Sequence, residues 1–283
     1  MISIVVPAHN ESSVIERTLG AWVNQADPGE LEVIVVCNGC SDNTAEIARR
    51  FGRTVRVIES DVASKSHALN LGDAAAVGFP RIYADADIIL TVGAIRALTH
   101  RLDLGDVFAV APTADINLAG CSWSIRKYFE IRSQLPSSRE GIGGSGVYAL
   151  SAAGRERFAQ FPDIIADDTF VRLQFKAWER ATLPTVTSTV FPARRIRQLI
   201  AVRTRAYAGT LQLSKRFPES NTNKTPSNKS TLIGLASDPR SWIGLAIYLC
   251  VNVVARARGW LMLRRGSSRW ARDSSSRSHV VST

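Results

Sequence analysis

Short apolar runs alternate with longer stretches of helical period over the first 110 residues. Ile2–Val6 is a β-branched run closed by Pro7, the pattern of a buried strand. Ser13 and Glu16 have the spacing of a capping box. Ile15, Leu19, Trp22 and Val23 then follow at helical spacing, which predicts a helix to about Gln25. Leu31–Val36 predicts a second strand, ending in the turn-rich Asn38–Asp42, and a helix through Ala45, Ile47 and Ala48 stops near Gly52. Thr54–Ile58 and Arg81–Ala84 predict two more strands around an Ala-rich helix over Ser64–Val77. Such alternation predicts βαβ units in a mostly parallel sheet, whose ligands sit beyond the carboxyl ends of the strands. His9-Asn10-Glu11, Asn38–Asp42 and Asp85-Ala86-Asp87 each follow a strand, so all three are expected to face one crevice.

After a strand at Val107–Ala111 the alternation loosens. The glycine-rich stretch from Gly141 to Gly146 precedes a strand at Val147–Leu150, and Asp167-Asp168 opens a helix expected to run through Trp178. Thr182–Val190 predicts a further strand, and Arg194–Leu213 a helix. Pro218–Thr231 has no aromatic residue and many Asn, Ser, Thr and Lys, the composition of a linker. Trp242–Ala255 is an uncharged stretch of 14 residues, and an Arg/Ser-rich tail closes the chain.

Composition adds three limits. With 45% hydrophobic and 21% charged residues among 283, the chain is globular rather than disordered or fibrous. No apolar run reaches the roughly 18–20 residues of a confident span, so a polytopic membrane protein is not expected. The N-terminus also lacks the basic n-region of a secretory signal. Four cysteines are too few for a disulfide scaffold, and a cytoplasmic setting is expected. Charge is uneven: residues 1–190 hold 18 basic and 22 acidic side chains (net −4), whereas residues 191–283 hold 17 and 3 (net +14). That asymmetry points to an anionic partner: a nucleoside diphosphate, a lipid surface or nucleic acid.

Several groups can carry chemistry. Asp85 and Asp87, one residue apart past a strand, suit one hard cation such as Mg2+ or Mn2+ bridging to substrate phosphates; a solvated turn is the plainer reading. Asp167 and Asp168 suit helix capping, which needs only one of them, and a second carboxylate beside a cleft is a candidate general base. Cys37 and Cys40 have thiol–disulfide spacing, but with no second pair they are expected to fill semi-buried positions. Gly144 and its neighbours offer close backbone approach to a ligand or an ordinary connection. Arg203 and Arg205 form either a solvated basic face or phosphate-binding forks.

Taken in order, these motifs resemble family 2 glycosyltransferases over about residues 1–210. The resemblance rests on Val5–Glu11, Val35–Thr44, Ser64–Gly72, Asp85-Ala86-Asp87 and Asp167-Asp168. It implies an α/β fold of the GT-A type: a Rossmann-like mixed, mostly parallel sheet flanked by helices, here with a C-terminal helical basic extension. Residues 1–213 would form the catalytic domain, with a nucleotide-binding half at 1–111 and an acceptor and base half at 112–213. Residues 214–231 would be a flexible linker and 232–283 a basic amphipathic helical tail. By this resemblance Pro7, Ala8, Asn10, Glu11, Asn38, Lys65, Asp85, Arg203 and Arg205 bind a nucleotide-sugar donor. Asp85 and Asp87 hold a divalent cation (Mn2+ or Mg2+). Gly144, Ser145 and Asp167 lie on the acceptor side, and Asp168 is the base of an inverting transfer to a saccharide, lipid or small-molecule acceptor. Val202 and Ala206 replace the Gln and Trp of the family's Gln-Arg-x-Arg-Trp motif, which argues against a processive polysaccharide synthase. The 241–272 segment, with Trp242, Tyr248, Trp260 and arginines, suits peripheral attachment to an anionic inner membrane face. A catalytically inactive nucleotide-sugar-binding relative and a basic nucleic-acid-binding protein are the alternatives. The latter leaves the acidic clusters at the strand ends unexplained, so nucleic acid is not an expected partner.

Overall fold

The computed structural model describes residues 1–218 and 227–265. Its strands are β1 (Ile2–Ala8), β2 (Leu31–Asn38), β3 (Val55–Ser60), β4 (Arg81–Ala84), β5 (Ala109–Ile116), β6 (Val147–Leu150) and β7 (Arg180–Val190). Between β1 and β5 lie α1 (Ile15–Val23), α2 (Thr44–Arg49), α3 (Lys65–Ala75) and α4 (Val92–Asp103). Further on come α5 (Trp123–Arg132), α6 (Ala152–Arg155), α7 (Asp167–Leu173), α8 (Ile196–Arg216), α9 (Lys229–Ala236) and α10 (Trp242–Arg264).

The strands form one mixed seven-stranded sheet in the order β3-β2-β1-β4-β6-β5-β7. Parallel pairs join β1 to β2 and β4, β2 to β3, and β5 to β7. Only β6 runs against its neighbours, pairing antiparallel with both β4 and β5. Every residue of β1 is buried, as a central strand covered on both faces requires. One face packs Ile15, Leu19 and Trp22 of α1 with Ile95 and Leu98 of α4; the other packs Leu69 of α3 with Phe170 and Val171 of α7. A third core lies away from the sheet, where Tyr128 and Ile131 of α5 meet Leu199 of α8 and Tyr248 and Val251 of α10.

Several expected boundaries move. No side chain caps α1; the Glu11 carbonyl accepts from the N–H groups of Val14 (3.0 Å) and Ile15 (2.9 Å), so Ser13 and Glu16 form no capping box. Ser64 does cap α3, accepting from the His67 N–H at 3.3 Å. The helix opened by Asp167 stops at Leu173 instead of reaching Trp178, because Glu179 accepts from the Lys176 N–H (2.8 Å) in a separate turn leading into β7. α8 passes through the expected boundary at 213 and ends at Arg216, and α9 begins inside the expected linker. Residues 219–226 of that linker and 266–283 of the basic tail lie outside the described residues. What is described of the tail packs on the body: α10 lies along α5 and α8, with Ala255 fully buried and Gly259 against the Thr204 carbonyl.

Candidate active site

The carboxyl ends of β1, β2 and β4 lie at one edge of the sheet, and the reversal of β6 brings its N-terminal end to that same edge. Ala84 pairs with Val147 there, and the Asp85 N–H donates to the Gly146 carbonyl at 2.8 Å. The glycine-rich loop is thereby fixed beside the Asp85–Asp87 turn. Gly146 has φ +69°, and a Cβ on it would lie 2.7 Å from Ile88 Cγ2, so the approach needs a residue without a side chain. The turn is braced from beneath by α1. Thr18 Oγ1 lies 2.9 Å from the Ala86 carbonyl and 3.1 Å from that of Ile88, and Trp22 Nε1 donates to the Leu90 carbonyl (2.9 Å).

Lys65, the first residue of α3, occupies the centre. Its Nζ is 2.9 Å from Asp85 Oδ1 and 3.1 Å from Asp167 Oδ2. Burial pulls the Lys65 ammonium down, but the charges of Asp167, Asp85 and Asp168 outweigh it and hold the group above its usual value. Asp167 is only 4% exposed. Burial pushes its carboxyl up to about 6, with Lys65 pulling the other way and Asp168 and Asp85 adding to the rise. The two acidic residues at the start of α7 thus divide into a buried partner of Lys65 and a half-buried Asp168. Neither is the N-cap, which is Ala166.

Two adjoining cavities meet around these groups. A small one, about 20 Å³, is lined by Asp85, Asp167, Asp168, Lys65, Tyr148 and Gly143. A larger one, about 380 Å³, shares Pro7, Lys65, Asp85 and Gly143 with it and extends past His9, Glu11 and Asp87 to Arg203 and Arg205. Asp85 and Asp168, distant in sequence, therefore line one space. Gly143, at φ +98°, lies where a Cβ would stand 3.6 Å from Asp168 Oδ2.

A divalent cation fits this donor set. Asp85 and Asp87 both line the large cavity, the Asp85 side chain is 40% exposed, and no group of three His, Cys, Asp or Glu ligands occurs among the described residues. Two carboxylates with the remaining positions left to phosphate oxygens and water is how Mg2+ and its like are commonly held.

The residues expected to touch donor or acceptor divide into two groups. Pro7, Glu11, Lys65, Asp85, Asp87, Gly144, Arg203 and Arg205 line the large cavity, the two arginines together although two apart on α8. Ala8, Asn38 and Ser145 are buried instead, and Asp167, also buried, lines the small cavity. Asn38 Nδ2 donates to the Ala8 carbonyl (3.0 Å), locking the ends of β1 and β2 together. Ser145 Oγ lies 2.8 Å from the Gly141 carbonyl and 2.7 Å from that of Val147, so it holds the loop's shape. Asn10, at φ +55°, accepts from the Ser41 N–H (2.7 Å), and Asp42 accepts from the Ser12 N–H (3.2 Å); together they bind the two turns into one rim. Cys37 is buried and Cys40 half-buried, both as free thiols.

Sequence reasoning missed Thr18, Tyr148 and Arg132. Tyr148 lines the small cavity with its hydroxyl buried beside Asp167, and Arg132 lines the large one from the end of α5. A lone tyrosine in an apolar strand after a glycine-rich loop was the available signal for the first; the other two act across long sequence separations with no local signature.

The "Probable glycosyltransferase YdaM" of Bacillus subtilis is 38% identical over 94 residues, 30% of this chain and 22% of that protein. The 4,4'-diaponeurosporenoate glycosyltransferase of Staphylococcus aureus is 32% identical over 108 residues, 36% of this chain and 28% of that protein. This chain thus spans under a third of the length of these curated relatives. Among solved structures, a mannosyltransferase from Pyrobaculum calidifontis in complex with GDP-Man and Mn2+ superposes with a TM-score of 0.60 at 22% identity, over 96% of this chain and 76% of that one. Glucosyl-3-phosphoglycerate synthase from Mycobacterium tuberculosis, in complex with Mn2+, UDP-Glc and phosphoglyceric acid, gives 0.57 at 21% identity, over 76% and 79%. At such identity these likenesses speak for the fold, which is that of the GT-A glycosyltransferases. The sequence model of Glycosyl transferase family 2 matches residues 3–157, more than half of the chain, and the chain belongs to that family.

Proposed function

We propose that this protein moves a sugar from a nucleotide-diphosphate sugar to an acceptor hydroxyl in one inverting displacement, with Asp168 as the base. The observation that carries this reading is the placement of Asp85 and Asp168 on one small cavity. Asp168 takes the proton from the acceptor hydroxyl, whose oxygen forms a bond to the anomeric carbon. On the opposite side of that carbon the bond to the diphosphate oxygen breaks, and the diphosphate leaves with the electron pair. Asp85 and Asp87 are the residues that would hold the divalent cation, and when bound it supplies charge neutralisation on the departing diphosphate. Lys65 stays charged and fixes Asp85 against α3, while Arg205 adds positive potential to the same cavity. Asp167, locked by Lys65, orients the start of α7 and with it Asp168.

Pro239–Arg264 is long and apolar enough to cross a membrane, and its apolar 18-residue window has a mean hydropathy of 1.3 and is 28% buried. One side of α10 packs on α5 and α8, while Trp242, Val253 and Trp260 stay 59%, 64% and 47% exposed. With Arg256, Arg258 and Arg264 on the same helix, this supports docking at an anionic cytoplasmic membrane face.

Replacement of Asp168 by Asn tests the transfer. Donor affinity, read by calorimetry with Mn2+, is expected to stay within about twofold, whereas turnover falls by about 10²–10⁴, the usual weight of a positioned base. Turnover near the wild-type level removes Asp168 from the role.

A further inference from the structure

Two arginines line the large cavity with no carboxylate paired to either. Arg132 closes α5 and Arg203 projects from α8, and both line the cavity that holds Asp85 and Asp87. No salt bridge joins either guanidinium to an acidic side chain among the described residues. Arg203 stacks on the Tyr207 ring at 5.0 Å from its centroid and reaches the Tyr207 hydroxyl at 3.3 Å and Asn252 Oδ1 at 3.5 Å, both long, while its Nε is buried with no hydrogen-bond partner. The Tyr128 hydroxyl, one turn before Arg132 on α5, is likewise buried and unmatched. Burial lowers the Arg132 value and the neighbouring Arg203 charge lowers it further, whereas Arg203, although burial opposes it, is held above its usual value beside Tyr128 and Tyr207.

Two half-buried guanidinium groups on one cavity wall, neither paired with a carboxylate, leave donors for an anion, and the guanidinium fork suits phosphate or carboxylate oxygens. The rest of this wall is apolar: Phe129 of α5 and Leu199 and Val202 of α8 lie around the pair. We propose that Arg132 and Arg203 form a subsite for the anionic group of an amphipathic acceptor whose apolar chain lies along Phe129, Leu199 and Val202. This deepens the transfer reading and rests on it: the donor diphosphate belongs at Asp85 and Asp87, and the arginine pair holds the acceptor by its head. The exposed apolar face of α10, on the helix that packs against both α5 and α8, is where such a chain would leave a membrane.

The test is calorimetric titration of the full chain with three probes: monomeric dodecyl phosphate, inorganic phosphate and dodecyl maltoside. Dodecyl phosphate is expected to bind at least tenfold more tightly than either other probe. Arg132→Gln and Arg203→Gln should each weaken it tenfold or more, Arg132→Lys should recover most of the loss, and Arg53→Gln, at an exposed position between α2 and β3, should leave it unchanged. Arg132→Lys also guards against misfolding, since it keeps the charge and most of the volume. Equal affinity for dodecyl maltoside, or no response to Arg132→Gln, overturns the anion subsite; equal affinity for inorganic phosphate overturns the apolar half of the acceptor. Titration of the wild-type chain with UDP-glucose and GDP-mannose in Mn2+ is read separately. Absence of donor binding there refutes the transfer while leaving the dodecyl phosphate result to stand or fall alone.

Discussion

Replacing Lys65 with Met removes the cation that bridges Asp85 and Asp167. At contacts of 2.9 and 3.1 Å, each ion pair is worth about 5 kcal/mol of attraction at an effective dielectric near 20, before the cost of drying the charges. The two halves are unequal. The Asp85 side chain is 40% exposed, so water takes over its solvation and its share shrinks to about 1 kcal/mol or less. The Asp167 side chain is 5% exposed and is left as a buried, uncompensated carboxylate, which costs about 3–5 kcal/mol. Protonation limits that cost. Asp167 already sits up at about 6 with Lys65 present, and without it the value rises further. A folded-state value above the unfolded 3.8 means that the stability of the variant falls as pH climbs from about 4 through the folded value. Lys65 itself is held above its model-peptide 10.5, so its stabilising contribution is fully present below that pH. Urea unfolding followed by tryptophan fluorescence should therefore show the variant about 3 kcal/mol less stable than wild type at pH 8, and the gap should narrow to about 1.5 kcal/mol or less at pH 5. Adding Asp167→Asn should restore most of the loss at pH 8. A gap of equal size at both pH values, or no rescue by the second change, would refute the reasoning.

Asp73 should govern acid stability. Burial alone would raise its carboxyl, but hydrogen bonds from Arg155, Tyr83 and Arg81 hold it below 3.8, so its contribution is present above that pH and is lost as pH falls through the folded value. Asp73→Asn is expected to lower the urea midpoint at pH 7 by an amount worth about 2–4 kcal/mol, and by progressively less as pH is taken below 3.8. Gly72→Ala would set a Cβ 2.4 Å from Val5 Cγ1 and 3.1 Å from Val36 Cγ2, where α3 presses on the sheet; a loss of about 1–3 kcal/mol in thermal or urea unfolding is the expected outcome. Val253→Asp with Val254→Asp, at 64% and 37% exposure, should leave the far-UV spectrum intact and abolish flotation with anionic liposomes; undiminished flotation would speak against membrane docking through α10. Truncation after Thr231 is the poorer probe, since it removes Tyr248 and Val251 from the third core.

The parallel half of the fold was legible because each of its strands is a β-branched run with a turn cluster at its end and a helical period after it. β6 was not legible as the reversed strand. Its four residues, Val147–Leu150, are all buried, and a strand covered on both faces carries no alternation from which to read direction. The fate of the polar residues near the site followed the same division. Asp85 and Asp168 were identifiable by position, at a strand end and a helix start. Ser145 sits in a glycine-rich loop and looks exposed in sequence, yet two carbonyls enclose it. Asp167 and Asp168 are alike as neighbours in sequence, and only the ammonium of Lys65, brought from α3, assigns one to the interior. The uncharged run beginning at Trp242 reads as an interfacial helix, and the contacts that bury Tyr248 and Ala255 are set by α5 and α8.

The backward course of β6 divides labour along the chain. A strand entering the sheet from the edge that carries Asp85 lets the segment between α5 and β6 be lengthened or rewritten on the side where, under the proposed transfer, an acceptor would arrive, while the ladder from Arg81 to Ala84 keeps the aspartates in register. Descendants of this scaffold could exchange one recipient for another by editing a single loop, with the machinery that activates the donor left untouched.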